Sequence, residues 1–335
     1  MRVVVLFNND GNLSHGSDKD RLAVEGVIAC ANAIAAACQE LGLTASTLAA
    51  ARDPGTLIAS LRATACDLVF NLVESIDGEA RLEAAIASVL ELARLPYTGS
   101  TPQAMTLGLN KPVTKAVLRE AGVAVARGAL LARADEPLFA APFPWIVKPS
   151  REDASHGISV ESLVDSEAAA RRQAGHVIAT YAQPAMIEEF LPGREFNISV
   201  LGEGASARVL SPAEIDFSGL PQGHPPLITY EAKWDEQSAV CRGTPSVAAR
   251  GLTPQLGRAL EETALAAYRI IGLRDYGRID MRLDGAGRPV VLEVNPNPDL
   301  SPDAGLAKAA ARSGLTYVQL VGEVIGAARR RGREA

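Results

Sequence analysis

Apolar runs of two kinds alternate along the first hundred residues. Residues 3–7 and 68–72 are short and continuous, whereas 22–41 and 82–95 are long and spaced for helices. That alternation predicts an open parallel sheet with helices on its faces. The first strand runs straight into Asn8-Asn9-Asp10-Gly11, a turn sequence. The uncharged run 26–39 is shorter than the roughly 20 residues a membrane span needs, and its alanines predict a buried helix. A second unit is expected from Thr101, where Pro112 opens a helix that Gly122 stops, and Trp145-Ile146-Val147-Lys148-Pro149 reads as a strand ended by proline. A third is expected from Met186. It holds a Pro- and Gly-rich stretch, 212–243, expected to be a long mobile loop of the kind that carries function. A helix then runs from Thr253 and Pro254 to Ile271, with Gly272 as its stop. The units are thus placed at 1–100, 101–185 and 186–335.

The segment after that helix is the most informative. Residues 276–283 and 288–294 are strand-like and flank the turn sequence Asp284-Gly285-Ala286-Gly287. With those four in the loop, Leu283 pairs with Arg288. Alternation then puts Ile279, Met281, Leu283, Val290, Leu292 and Val294 on an apolar face, and Arg278, Asp280, Arg282, Glu293 and Asn295 on a polar one. Arg278 is expected opposite Glu293, with Asp280 its diagonal neighbour at about 7 to 8 Å. Two carboxylates and an amide oxygen beside an arginine make a hard oxygen cluster suited to Mg²⁺ carrying phosphate oxygens. The exit, Asn295-Pro296-Asn297-Pro298-Asp299-Leu300-Ser301, is too stiff and polar to be a casual end to a strand.

Composition narrows the classes further. The 335 residues carry 33 Lys and Arg against 39 Asp and Glu, a net charge of −6, which gives no electrostatic basis for a nucleic-acid or membrane partner. Cys30, Cys38, Cys66 and Cys241 lack CxxC spacing and read as reduced core thiols. No export signal opens the chain, so a cytoplasmic location is expected. The basic tail Arg329-Arg330-Arg331-Gly332-Arg333 reads as a solvated end. No repeat or low-complexity linker is visible, and no GxGxxG follows the first strand, which argues against a dinucleotide-dependent oxidoreductase.

Eight segments in order give the chain a family likeness: Phe70-Asn71-Leu72, Leu95-Pro96-Tyr97-Thr98-Gly99-Ser100, Asn110-Lys111, Val147-Lys148-Pro149-Ser150-Arg151-Glu152, Glu188-Glu189-Phe190-Leu191-Pro192-Gly193-Arg194-Glu195, Tyr230-Glu231-Ala232-Lys233, Gly277-Arg278-Ile279-Asp280 and Glu293-Val294-Asn295. The sequence resembles the ATP-grasp superfamily and, within it, the D-alanine:D-alanine ligase group. The resemblance implies an α/β and α+β fold, an N-terminal open parallel sheet followed by two α+β subdomains that sandwich ATP. It implies Lys111 and Lys148 on the ATP phosphates and a loop from Ser150 to Gly157, with Ser155, folded over them. Glu188 would accept from the adenine amino group, backbone groups of Glu189 and the side chains of Phe190 or Leu191 would frame the base, and Glu195 would hold the ribose. Lys233 would close over the triphosphate. Asp280, Glu293 and Asn295 would hold two Mg²⁺ ions, or Mn²⁺ in their place, and Arg278 would stabilise charge at the attacked acyl centre. The implied reaction activates a small acid as an acyl phosphate and joins it to an amine, and a homodimer is implied because members commonly form one. The same chemistry with a thiol, hydroxylamine or internal acceptor, and a nucleotide-binding regulatory protein without turnover, are the alternatives.

The chain departs from the group where amino-acid substrates are read. Glu74 stands near the usual histidine, Asp153 and Ala154 replace a glycine and a serine ahead of Ser155 and His156, and Trp234 replaces a tyrosine after Lys233. Asp18 or Asp20 would have to stand in for a missing ammonium-binding glutamate. Ser301 remains for a substrate carboxylate, and His156 for phosphate or substrate. An altered substrate pocket is expected.

Overall fold

A computed structural model describes residues 1–8, 18–152 and 155–334, with only the backbone course given for 18–25 and 333–334. Three sheets organise them. Strands Arg2–Phe7, Thr44–Ala49 and Leu68–Asn71 form a parallel sheet with the first in the centre. Val4 and Leu6 pack against Leu57, Leu61 and Leu90 on one face, and Val3, Val5 and Phe7 against Ala31, Ile34 and Cys38 on the other. Strand Thr44–Ala49 and helix Pro54–Thr64 were not expected. The strand is a largely exposed edge of small and polar residues, so no apolar run announces it.

The central sheet orders its antiparallel strands Gly128–Leu131, Ala185–Glu189, Trp145–Pro149 and Leu163–Val164, with helix Glu167–Tyr181 packed on it. The expected boundary between 185 and 186 therefore falls inside a strand of this sheet. The third sheet orders Ser246–Ala248, Ala213–Ile215, Glu195–Leu201, Tyr276–Leu283 and Pro289–Asn295, and Arg208–Val209 pairs with Glu195–Leu201. Helix Pro254–Ile271 lies against it, capped by the Thr253 side chain and ended by Gly272 at φ +80°, as the sequence pattern predicts.

Three expectations are corrected. The stretch 212–243 is not a single loop: it holds strand Ala213–Ile215 and helices Tyr230–Trp234 and Ala239–Arg242. Local chemistry explains this, because Arg194 forks onto Glu214 at 2.6 Å, and the Thr229 and Ser238 side chains cap the two helices. The basic tail is not simply solvated. It belongs to helix Tyr317–Glu334, and Arg331 pairs with the buried Asp275 while also reaching Glu203 at 2.9 Å and the Tyr97 carbonyl at 3.1 Å. Of the four free cysteines, Cys30 and Cys38 are buried, whereas Cys66 and Cys241 are only half-buried. Among the described residues no helix is long and apolar enough to cross a membrane.

Candidate active site

Strand Tyr276–Leu283 presents Arg278, Asp280 and Arg282 in a row on one face. The partner strand does not run in the expected register. Leu283 pairs with Pro289 and Met281 with Val291, but Asp280 pairs with Glu293 and Arg278 with Asn295, so a bulge absorbs Leu292. Val291 therefore joins Ile279, Met281, Leu283 and Val294 in the core, while Val290 and Leu292 pack with Ala126 and Leu191 instead. The slip at the turn and the bulge together set Asp280 directly opposite Glu293, where Arg278 was expected.

Like charges so opposed repel unless they are matched. Arg278 forks onto Asp280 at 2.7 and 2.9 Å, Asn197 donates to Asp280 at 2.8 Å, and the Lys111 ammonium lies 3.7 Å from Glu293. Burial alone would raise the Glu293 carboxyl, but Lys111, Arg278, Lys148 and Lys233 outweigh it and hold it well below the usual range. The Asn295 amide oxygen accepts the Asn297 N–H at 3.0 Å, which leaves it a further lone pair. This donor set is all oxygen and incomplete. Among the described residues no three of His, Cys, Asp and Glu gather to hold a metal by themselves. Such a set fits Mg²⁺ that completes its shell with phosphate oxygens and water.

A line of lysines reaches the same place from the second unit. Asn110 caps helix Lys111–Glu120, on which Lys111 and Lys115 are one turn apart and share a face. Lys111 donates to the Glu152 carbonyl at 2.7 Å. On the central sheet Glu188 lies opposite Ile146, diagonal to Lys148. Glu188 is 2% exposed, and its two oxygens pair with Lys115 and, at 2.8 Å, with Lys148. Burial pushes that carboxyl up, yet the two lysines hold it below the ordinary range. Burial also pulls the Lys115 ammonium down to about 8 against the attraction of Glu188. Lys115 was missed in the sequence, although its spacing from Lys111 was a usable signal.

The third cluster is aromatic and acidic. The Phe190 ring stacks under the Arg282 guanidinium at 4.5 Å, and Leu191 is buried beside Val290. The Glu189 side chain is taken by Arg127, in a fork of 2.9 and 2.7 Å. Glu195 pairs with Arg282 at 3.2 Å, but burial outweighs that partner and raises its carboxyl to about 7. A group so placed loses its charge just below neutral pH. If Glu195 accepts from a bound nucleotide, affinity falls about tenfold between pH 8 and pH 6, the amount a pKa of about 7 dictates. ATP titrations across that range, with Glu195→Gln as reference for the titration of ATP itself, check this. Equal pH dependence in the two proteins refutes it.

The remaining expected residues divide. Ser155 adopts φ +62°, and His156 stacks within 5.4 Å of Tyr230 and 6.5 Å of Trp234, so an aromatic seam joins its loop to helix Tyr230–Trp234. Lys233 lies on that helix, 5.7 Å over the Trp234 ring, and its charge reaches Glu293. His156 thus sits on the seam between the two segments. Ser301 spends both its N–H and its hydroxyl on Asp299, at 2.8 and 2.7 Å. Glu74 is exposed at the end of the parallel sheet, and its N–H donates to Asn8 at 3.2 Å. From the hairpin exit, Asn297 accepts from Tyr276 at 2.9 Å and donates to the Val73 carbonyl at 3.1 Å. Asp153, Ala154 and the side chains of Asp18 and Asp20 lie outside the described residues.

Two antiparallel sheets that bring lysines up to opposed carboxylates place the chain in the ATP-grasp class. The family model for the D-ala D-ala ligase C-terminus matches residues 107–326. The chain is 34% identical to the uncharacterized protein y4sG of Sinorhizobium fredii, covering 90% of this chain and 88% of that one. It is 32% identical to the D-alanine–D-alanine ligase of Gluconobacter oxydans, covering 85% and 88%. The D-alanine–D-alanine ligase of Bacillus anthracis, solved in complex with ATP, superposes with a TM-score of 0.74 at 19% identity, over 100% of this chain and 99% of that one. The chain belongs to the D-alanine–D-alanine ligase family.

Proposed function

We propose that this protein is an ADP-forming ligase that activates a small carboxylic acid as its acyl phosphate and joins it to an amine. The observation that supports this most is the meeting of Asp280, Glu293 and Arg278 on one hairpin face with Lys111 and Lys148 from the neighbouring unit. The substrate carboxylate attacks the γ-phosphorus of ATP, ADP leaves, and the amine then attacks the acyl carbon and expels phosphate. Lys111 and Lys148 draw the phosphates in and neutralise them. Lys233, on its short helix, adds a further cation whose charge reaches Glu293. Arg278 offers a fixed cation to the oxygen on which charge develops, an effect worth about 3 kcal/mol for one well-placed donor. Glu188 serves both the lysines and the base: a carboxylate has about four lone-pair sites, so two ammonium partners leave capacity for the adenine amino group. Mg²⁺ at Asp280, Glu293 and Asn295 would offset charge on the phosphoryl group in transfer.

Glu74, Trp234 and the Pro-rich exit that holds Asp299 and Ser301 set this pocket apart from the family pattern, so the acid and amine are read as differing from two D-alanines. The test measures ADP and phosphate release with Mg²⁺, ATP and a panel of amino acids and amines that includes D-alanine. An acid and amine pair that raises ADP release at least tenfold over ATP alone supports the ligase. If ATP binds and no pair raises turnover, a regulatory nucleotide-binding role replaces it.

A further inference from the structure

Arg282 occupies the nucleotide end of the row that begins with Arg278 and Asp280, yet nothing in the reaction above uses it. It is 3% exposed, and a buried arginine without a task is costly. Its guanidinium nitrogens are spent on three acceptors in two segments. Nε donates to the Gly193 carbonyl at 3.0 Å, one terminal nitrogen to Glu195 at 3.2 Å, and the other to the Pro226 carbonyl at 2.8 Å. Its guanidinium carbon lies over two rings, 4.5 Å from the Phe190 centroid and 5.3 Å from that of Phe217. Gly193 permits this closeness, because a side chain there would meet the Leu283 backbone at 2.5 Å. One planar cation thus joins the segment carrying Phe190 and Glu195, the hairpin carrying Asp280, and the stretch from Phe217 to Pro226 that leads to Lys233.

We propose that Arg282 is a positioning residue of the nucleotide site: it aims the Glu195 carboxylate at the ribose hydroxyls and pins the entrance of the segment that carries Lys233. The inference rests on the reading of Glu195 as a ribose ligand. Only a flat fork with donors on three edges meets these partners together, and lysine, a point charge on a flexible stem, does not. The carboxylate oxygen that Arg282 does not hold is left for the nucleotide. Arg282 touches no reacting atom and acts through Glu195.

The test is binding, so it does not depend on knowing the acid or the amine. Dissociation constants of ATP and 2′-deoxy-ATP with Mg²⁺ are measured by calorimetry for the wild type, Arg282→Met, Arg282→Lys, Glu195→Gln and the double variant Arg282→Met with Glu195→Gln. The wild type is expected to prefer ATP about tenfold, the worth of one hydrogen bond to a charged acceptor. Arg282→Met and Glu195→Gln each bring that ratio near one, and the double variant loses no more than either alone. Arg282→Lys retains part of the preference. Where turnover is measurable, KM for ATP rises by a larger factor in Arg282→Met than kcat falls. A melting temperature lowered in Arg282→Met with the preference intact would show a purely structural role and overturn the inference. So would a wild type that does not distinguish the two nucleotides, or additive losses in the double variant. None of these outcomes bears on whether an acid and amine are joined, so failure here is distinct from failure of the ligase reading.

Discussion

Glu293→Gln is expected to reduce substrate-dependent ADP release by about 10³-fold, or about 4 kcal/mol of transition-state stabilisation, while leaving the fold intact. The turn and the bulge at Leu292 together place Glu293 directly across from Asp280. Asp280 is already held by Arg278 and Asn197, so Glu293 is the member of the pair with the looser ties, its nearest cation being 3.7 Å away. Glutamine keeps the shape and one oxygen but removes the charge that a hard cation needs. Stability responds much less. Because the folded carboxyl is held below its usual range, the charge stabilises the fold above the unfolded pKa of about 4.3, and that contribution disappears as pH falls through the lower folded value. Glu293→Gln is therefore slightly less stable than wild type at neutral pH, by about 1 kcal/mol, and the two converge under acid conditions. ADP release at saturating Mg²⁺ and thermal melts at pH 7 and pH 3 read both effects. Turnover within tenfold of wild type would remove the hairpin from the reaction.

The sequence carries this site unevenly, and the reasons are physical. Helix Pro254–Ile271 is legible to the residue because its signals are local: Thr253 caps it, Pro254 opens it and Gly272 closes it. The polar face of strand Tyr276–Leu283 is legible for the same reason, since alternation along one strand needs no partner. The register is not, because two one-residue slips set it. The Asp284 side chain accepts the Ala286 and Arg288 N–H groups and closes the turn so that Leu283 meets Pro289, and Leu292 then leaves the ladder to join Leu191 and Ala126. Lys115 and Arg282 carried weak signals, the one a helical turn from Lys111 and the other on the polar strand face. Their partners Glu188 and Glu195 lie 73 and 87 residues away, so only the fold reveals what they hold. Strand Thr44–Ala49 shows the opposite failure: at an exposed edge, pairing with Arg2–Phe7 is joined by only Ala45 and Leu48 packing inward, so hydrophobicity does not mark it.

Glu188→Gln is expected to be the most destabilising conservative change in the cleft. Glu188 and the two ammonium groups of Lys115 and Lys148 are nearly sealed from water, and the amide that replaces the carboxylate leaves two buried cations without their directly paired counter-charge. Breaking a buried pair in this way costs about 3 to 5 kcal/mol. Lys115→Met is expected to cost much less, since it withdraws one cation and leaves a one-to-one pair between Glu188 and Lys148. Combining the two substitutions recovers part of the Glu188→Gln loss, a coupling that additive effects would not produce. The pH dependence gives an independent sign. Lys115 in the wild type holds its proton up to about 8, against about 10.4 in the unfolded chain, so its contribution to stability rises with pH between those values. Without Glu188 the folded chain releases that proton at lower pH, and the rise begins earlier. The deficit of Glu188→Gln relative to wild type therefore narrows as pH is raised toward 8, and denaturant melts at pH 6, 7 and 8 read it directly. A deficit that stays constant over that range would mean that the two lysines find other partners once the carboxylate is gone, and that Glu188 is not what keeps Lys148 charged and aimed at the phosphates.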